Sequence, residues 1–310
     1  MENLTKLPLL RRLLPDGDGQ NKKIVLLTLS LLCMLCVEIA FLVFANAAYQ
    51  DRILDEDMAT QFVHDMEMAR QRTVLLPAWS YSTSLELDTS TFLVLPFYLL
   101  TGSIYTAHTI ANTLLIFFTV YLIFCLFDAG EGVSALLASC LVLIPYMVGN
   151  LDYFNMMFFH TSHYLLKTLM PLLLIGLVRR MHTPFASLPP FIKLNAVLYL
   201  LLLFLCSFSS GVYVIVCGVL PVLIGYFLFQ YYHDLPPARV YFLLALISVC
   251  VAGVGYYLNT KTGIDALGNG MSLVGMDDLH EHIATYTIAI FQLFGGISEI
   301  HGANQTRGAL

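Results

Sequence analysis

The chain has 310 residues, of which 58% are hydrophobic and only 12% are charged, and its mean hydropathy is +0.77. A soluble domain contains about 25% charged residues, so the composition excludes an ordinary soluble globular protein. The formal net charge of −6 argues against the basic surface that nucleic acids require, and we expect no nucleic-acid partner.

Long apolar runs separated by polar segments predict an all-α fold, a polytopic transmembrane helix bundle of about eight spans. A helix of about 20 apolar residues crosses the bilayer core. The predicted spans cover residues 24–48, 105–127, 133–148, 160–178, 191–206, 212–231, 239–258 and 286–297. Because the last run is too short to close a bundle, we expect the chain to be the N-terminal portion of a longer protein.

Basic residues predict the orientation. Lysines and arginines are concentrated in residues 1–23, and cytoplasmic segments are rich in these residues. We therefore expect residues 1–23 to be cytoplasmic and residues 24–310 to form the transmembrane domain. The following loop carries many more acids than arginines and belongs outside; the acids are Asp51, Asp55, Glu56, Asp57, Asp65, Glu67, Glu86 and Asp88.

A short apolar segment, 92–100, has two interpretations: a tilted span, or an interfacial helix that returns to the outer side. Its nine residues would cover only about 14 Å as a helix, roughly half the bilayer core. If the segment does not cross, Arg179 and Arg180 are cytoplasmic, so we favour that interpretation. The predicted outer loops are then about 49–104, 149–159 and 259–285.

The first outer loop continues, after its acidic start, with apolar residues at helical spacing over 58–70. This spacing predicts an amphipathic helix in the membrane interface. Carboxylates above such a helix can bind a cation at a lipid head group or accept a proton from a hydroxyl. Alternatively, the acids only keep the loop solvated.

Four features follow one another here: Asp55-Glu56, the amphipathic helix, the Pro-containing segment 92–102 that ends in Gly102, and a long span from residue 105. Their order resembles the start of the GT-C class of polytopic glycosyltransferases, in the protein mannosyltransferase and aminoarabinose transferase branch. The resemblance covers about the first 130 residues. It implies a sugar donor linked to a polyprenyl phosphate, with membrane lipid as the surrounding partner.

The resemblance also implies site residues. Asp55 or Glu56 would be the catalytic carboxylate, with Asp57 as a further candidate. The leaving phosphate needs positive charge, and a divalent cation is one possible source. The outer-side candidates for binding substrate or phosphate are Arg70, Arg72, Asp152, His160, His163 and Lys167. For Asp152 and the two histidines, a simple role as interfacial polar anchors stays open.

We therefore expect a membrane glycosyltransferase that moves a sugar from a polyprenyl-phosphate carrier to an acceptor on the non-cytoplasmic face. A transporter or flippase of lipid-linked sugar is the first alternative, because Glu38 places a carboxyl deep within the first span. A non-catalytic membrane subunit is the second alternative.

Overall fold

The computed structural model describes residues 21–48, 54, 56–81, 84–127, 130–144, 157–159, 162–180, 190–233 and 239–264, with isolated positions at 280, 283–284 and 287. These residues form nine α-helices and one π-helical segment, and none of the described positions is in a strand. In chain order they are α1 (Asn21–Ala48), α2 (Glu56–Gln71), α3 (Thr91–Thr101), α4 (Ile104–Leu126), α5 (Gly132–Leu143), α6 (Leu165–Val178), α7 (Pro190–Ser210), the π segment (Ile215–Val219), α8 (Leu220–Tyr232) and α9 (Arg239–Lys261).

Five helical stretches are long and apolar enough to cross a membrane, namely Lys23–Ala48, Ile104–Leu126, Pro190–Ser210, Ile215–Tyr232 and Tyr241–Lys261. The predicted all-helical, multi-pass membrane protein is thereby confirmed. The predicted count of about eight spans is not, because α5 and α6 have only 12 and 14 residues and segment 286–297 lies outside the described residues.

The shortness of α5 has a local cause. Ile144 follows the helix with an extended ψ of 120°, and residue 145 is a proline. The ring of a proline disfavours the helical conformation in the residue before it. The helix therefore stops before it is long enough to cross a bilayer core.

The bundle has one main apolar core between α1, α4, α5, α6, α7 and α9. Leu42, Ile116, Met170 and Tyr199 are fully buried there. The closest packing is between α7 and α9, where a Cβ added to Gly255 would lie 3.0 Å from the carbonyl oxygen of Phe204. Many leucines and phenylalanines on the outer faces are exposed, as expected for helices surrounded by lipid.

Both ends of α3 lie near the start of α4. At its beginning, Ser90 Oγ lies 3.3 Å from His108 Nδ1 in the second turn of α4. At its end, Gly102 adopts a φ of +67°, which glycine accommodates without steric cost, and Ser103 caps α4. The segment 92–100 therefore does not run along the length of the bundle.

One end of the bundle carries a group of hydrogen-bonded buried polar residues, and we call it the polar end. Here Asn112 of α4 donates to Asn46 of α1 at 2.7 Å and accepts from Ser162, just before α6, at 2.7 Å. At the opposite end, Arg179 and Arg180 donate to carbonyl oxygens at the end of α4. The two arginines thus lie far from the first loop, as predicted. That their end of the bundle faces the cytoplasm stays a prediction.

Candidate functional site

The amphipathic helix predicted over 58–70 corresponds to α2. Its first turn carries Glu56 and Asp57, whose negative charge favours the amino-terminal end of a helix dipole. Its last turn is closed by a bond from Thr73 N to the carbonyl oxygen of Met68, with Arg72 at a φ of +53°. The sequence therefore folds locally into a helix with acids in its first turn and a hydrogen bond that closes its last turn.

A carboxylate on the buried face of α2 joins the loop to the bundle. The Oδ1 atom of Asp65 accepts from Gln61 Nε2 at 3.0 Å and from Thr91 Oγ1 at 2.7 Å, and Oδ2 lies 3.1 Å from His108 Nε2. Burial raises the pKa of Asp65, but the bonds from His108, His64 and Thr91 outweigh it and leave the pKa below its ordinary value. We call Asp65 and these four contact residues the Asp65 hub.

Ser90, His108 and Asp65 lie in a row, with Ser90 Oγ 3.3 Å from His108 Nδ1. Such a row is the arrangement of a serine hydrolase triad. However, all three side chains are fully buried, so a substrate carbonyl has no route to the Ser90 hydroxyl. We assign a structural role to these three residues, which hold α2, α3 and α4 together.

A second buried carboxylate, Asp88, lies where the loop 84–90 contacts the end of α7. Its Oδ1 accepts from Ser209 Oγ and its Oδ2 from Ser210 Oγ, both at 2.7 Å. The Ser209 hydroxyl also accepts from the backbone N–H of Leu87 at 3.0 Å. Consequently the loop is fixed to α7, and the fully buried Asp88 carboxylate has donors on both oxygens.

The first turn of α6 brings a cation to this carboxylate. Lys167 Nζ lies 3.5 Å from Asp88 Oδ2, and the Lys167 side chain is 12% exposed. The same ammonium lies 5.3 Å from the ring centre of Tyr164, within the range of a cation–π interaction. The ammonium is therefore held on two sides while part of the side chain stays accessible.

His163 and Asp57 complete this group. Burial and the nearby Lys167 ammonium lower the pKa of His163, while the carboxylates of Asp88 and Asp57 act in the opposite direction. Asp57, Asp88, His163 and Lys167 thus share one electrostatic environment, and we call them the Asp88–Lys167 site. They come from α2, the loop 84–90, the segment before α6 and α6 itself.

Backbone strain accompanies the site. Glu86, two residues before Asp88, has a φ of +59°, and Ser162, next to His163, has a φ of +47°. Residues other than glycine rarely adopt such values, and strained positions cluster where function requires a fixed geometry. Glu86 and Ser162 are both buried.

The predicted site residues divide into three groups. Lys167 pairs with Asp88, the charges of Lys167, Asp88 and Asp57 all act on the pKa of His163, and Glu56 is exposed beside Asp57 in the first turn of α2. Arg70 lies at the other end of α2, about 20 Å along the helix from Asp57, where it pairs with Glu67; Arg72 is exposed just beyond it. Asp55, Asp152 and His160 lie outside the described residues.

Sequence reasoning did not single out Asp88, Ser209 or Ser210. Asp88 was only one of the eight acids of the first outer loop. A signal exists for Asp88, because the polar run 88–91 directly precedes an apolar helix. For the serines the partner lies far away in the chain, and only the tertiary contact reveals it.

Metal binding was left undecided by the sequence. In the part of the chain that is described, no three His, Cys, Asp or Glu side chains are grouped so that they could hold a metal ion. The positive charge at the site is provided by Lys167.

Comparisons with known proteins give no relative. No protein-family model matches the chain, and neither a search of curated proteins nor a search of solved structures found a match.

Proposed function

We propose that the protein is a membrane glycosyltransferase that moves a sugar from a polyprenyl-phosphate carrier to an acceptor at the polar end of the bundle. The observation that carries the proposal is the Lys167 ammonium, held by Asp88 at the start of an apolar helix, with the exposed Asp57 near enough to act on the pKa of His163. A lysine at the start of an apolar helix can extend its ammonium to the membrane interface, where it can meet a lipid phosphate.

The reaction that we propose forms a bond between an acceptor oxygen and the anomeric carbon of the sugar. The bond from that carbon to the phosphate oxygen breaks, and the phosphate leaves on its polyprenyl chain. Glu56 or Asp57 accepts the proton of the acceptor hydroxyl, for which an exposed carboxylate in a helix first turn is suited. The Lys167 ammonium donates hydrogen bonds to the phosphate as negative charge develops on it.

Asp88 has a separate part in this proposal. Its carboxylate is fully buried and cannot meet the sugar acceptor directly. It offsets the charge of the Lys167 ammonium when no phosphate is bound and keeps the ammonium at the membrane surface. We therefore treat Asp88 as a positioning residue and the carboxylates of Glu56 and Asp57, together with Asp55, as the candidates for proton transfer.

The test is sugar transfer in membranes that contain the full chain, with undecaprenyl or dolichyl phosphate carrying radiolabelled mannose, glucose or aminoarabinose as probes. We expect Lys167→Met to reduce the transfer rate about 100-fold, the effect of losing one charge-stabilising donor. Lys261→Met is the matched control, because Lys261 also lies 5.3 Å from a tyrosine ring centre, that of Tyr257, but is exposed at the end of α9.

The carboxylates need their own variants. We expect at least one of the variants Glu56→Gln, Asp57→Asn and Asp55→Asn to abolish sugar transfer while the protein remains folded. Unchanged transfer in all three variants, or in Lys167→Met, would contradict the proposed mechanism.

A flippase of lipid-linked sugar is the second candidate, and Glu38 favours it. This carboxyl is buried in the middle of α1 beside α5, and ionisable residues inside a membrane usually mark a transport path or a functional cavity. Reconstituted vesicles distinguish the two functions. Loss of lipid translocation in Glu38→Gln, with no sugar transfer in the unsubstituted protein, would favour the flippase.

A further inference from the structure

A groove runs between α2 and α3, away from the Asp88–Lys167 site. Its volume is about 470 Å³, and its walls include Val63, Met66 and Ala69 of α2 and Tyr98 and Leu99 of α3. Five of the seven lining residues are aliphatic or aromatic, and the other two are Glu67 and Arg70. A groove of this size and character accommodates part of a hydrocarbon chain.

The groove lies next to the start of a candidate membrane span. Helix α3 exposes large apolar side chains, among them Leu99 at 69% and Leu100 at 81%. It ends at Thr101, and the candidate span α4 begins at Ile104. The wall formed by α3 is therefore adjacent to the place where the chain enters the bilayer.

Two oppositely charged side chains border the groove. Arg70 donates from Nε and from Nη2 to the two carboxylate oxygens of Glu67, and Gln71 also donates to Glu67. These bonds, with Arg70 as the main cause, lower the pKa of Glu67 to about 2. At neutral pH both side chains of the pair are therefore ionised, and their relative orientation is fixed. Their charges cancel, so the pair has no net charge.

Arg70 keeps donors for a ligand. A guanidinium carries five N–H groups, and two of them are used by Glu67. The Arg70 side chain is 73% exposed, so the others face outward above the apolar walls. A fixed guanidinium with spare N–H groups is well suited to a phosphate oxygen.

We infer that the α2–α3 groove binds one glycerophospholipid with a zwitterionic head group. An acyl chain occupies the apolar walls, the phosphodiester contacts Arg70, and the positive end of the head group lies near Glu67. The neutrality of the Glu67–Arg70 pair favours a head group of zero net charge over an anionic one. The site is about 20 Å along α2 from Asp57 and does not depend on the proposed sugar transfer.

The experiment is native mass spectrometry of the delipidated full chain with three probes: palmitoyl-oleoyl phosphatidylethanolamine, palmitoyl-oleoyl phosphatidylglycerol and palmitoyl-oleoyl glycerol, which lacks phosphate. We expect one phosphatidylethanolamine to bind, with at least tenfold weaker affinity in Arg70→Gln, the loss expected for a charge-assisted bond. Arg72→Gln is the matched control, since Arg72 is exposed two residues further on and does not line the groove.

Leu99→Glu tests the acyl chain. Its side chain is largely exposed in the free groove, so the variant should fold, and a carboxylate there should weaken binding of phosphatidylethanolamine at least tenfold. Equal affinity in Arg70→Gln and the unsubstituted protein would overturn the inference. Equal affinity for the diacylglycerol, or tighter binding of phosphatidylglycerol, would overturn it as well.

Discussion

Lys167 Nζ lies 3.5 Å from Oδ2 of Asp88. The local structure around either residue does not account for this contact. The contact exists because the loop 84–90 is fixed to the end of α7 by Ser209 and Ser210. A buried ion pair is costly to form unless hydrogen bonds satisfy its remaining lone pairs. Here two serine hydroxyls do so, and the Lys167 ammonium is held beside its counter-charge.

The pair should be energetically coupled. We expect Asp88→Asn to destabilise the protein by about 3 kcal/mol, because it leaves the Lys167 ammonium without its counter-charge. The double variant Asp88→Asn/Lys167→Met should cost clearly less than the sum of the single variants. The measurement is thermal unfolding in detergent, with the exposed Asp57→Asn as a control that leaves stability almost unchanged. Additive effects would mean that the two side chains do not interact.

Ser209 should matter more than Ser207, although both are buried. Ser209 Oγ bonds to Asp88 and to the backbone N–H of Leu87, whereas Ser207 Oγ has no hydrogen-bond partner among the described residues. We expect Ser209→Ala to lower the free energy of unfolding by about 2 kcal/mol, and Ser207→Ala to change it by less than about 0.5 kcal/mol. Equal losses would show that the loop is held by other contacts.

Asp65 should give the protein a pH dependence. Its pKa is lower in the folded protein than the ordinary 3.8, so its contribution to stability is complete above that value. The contribution is lost as the pH falls through the lower folded pKa. We expect Asp65→Asn to lower the free energy of unfolding by about 3 kcal/mol at pH 7. The difference in stability between the variant and the unsubstituted protein should become smaller only below about pH 4.

The measurement is the unfolding temperature of both proteins between pH 3 and pH 8. If the difference between the two unfolding temperatures already became smaller as the pH falls from 8 to 5, the lowered pKa of Asp65 would be contradicted. Glu67→Gln is a useful comparison, because Glu67 also has a lowered pKa but belongs to a surface pair. Surface pairs add little stability, so this variant should unfold at nearly the same temperature as the unsubstituted protein.

Two glycines of α9 should respond in opposite directions to alanine. A Cβ on Gly255 would lie 3.0 Å from the carbonyl oxygen of Phe204 and 3.1 Å from the backbone nitrogen of Phe208, whereas nothing lies within 4 Å of one on Gly253. Gly255→Ala should therefore separate α7 from α9 and cost about 1–3 kcal/mol. Gly253→Ala should stabilise the helix by up to about 1 kcal/mol. Thermal unfolding measures both, and stabilisation by Gly255→Ala would mean that the two helices are less tightly packed.

The sequence by itself determined the class of the protein. Helical apolar runs are local and follow from the need to satisfy backbone hydrogen bonds within lipid, so α1, α4, α7 and α9 were predictable. The amphipathic helix α2 was predictable for the same reason, because its period of apolar residues is local. At α5, the apolar run favoured a longer helix and Pro145 favoured an earlier end. The predicted span 133–148 was therefore too long.

Only the tertiary structure decided which polar residues meet. Sequence reasoning selected Asp57, His163 and Lys167 as individual outer-side residues. Folding pairs Lys167 with Asp88, which the sequence had not singled out, and subjects His163 to the charges of Lys167, Asp88 and Asp57. It also places Arg70 apart from them, beside Glu67. A pairing between distant residues leaves no trace in local periodicity, because it depends on how far each helix extends and on which turn faces its neighbour. The arrangement of the site therefore depends on contacts that form only when the loop 84–90, α6 and α7 pack.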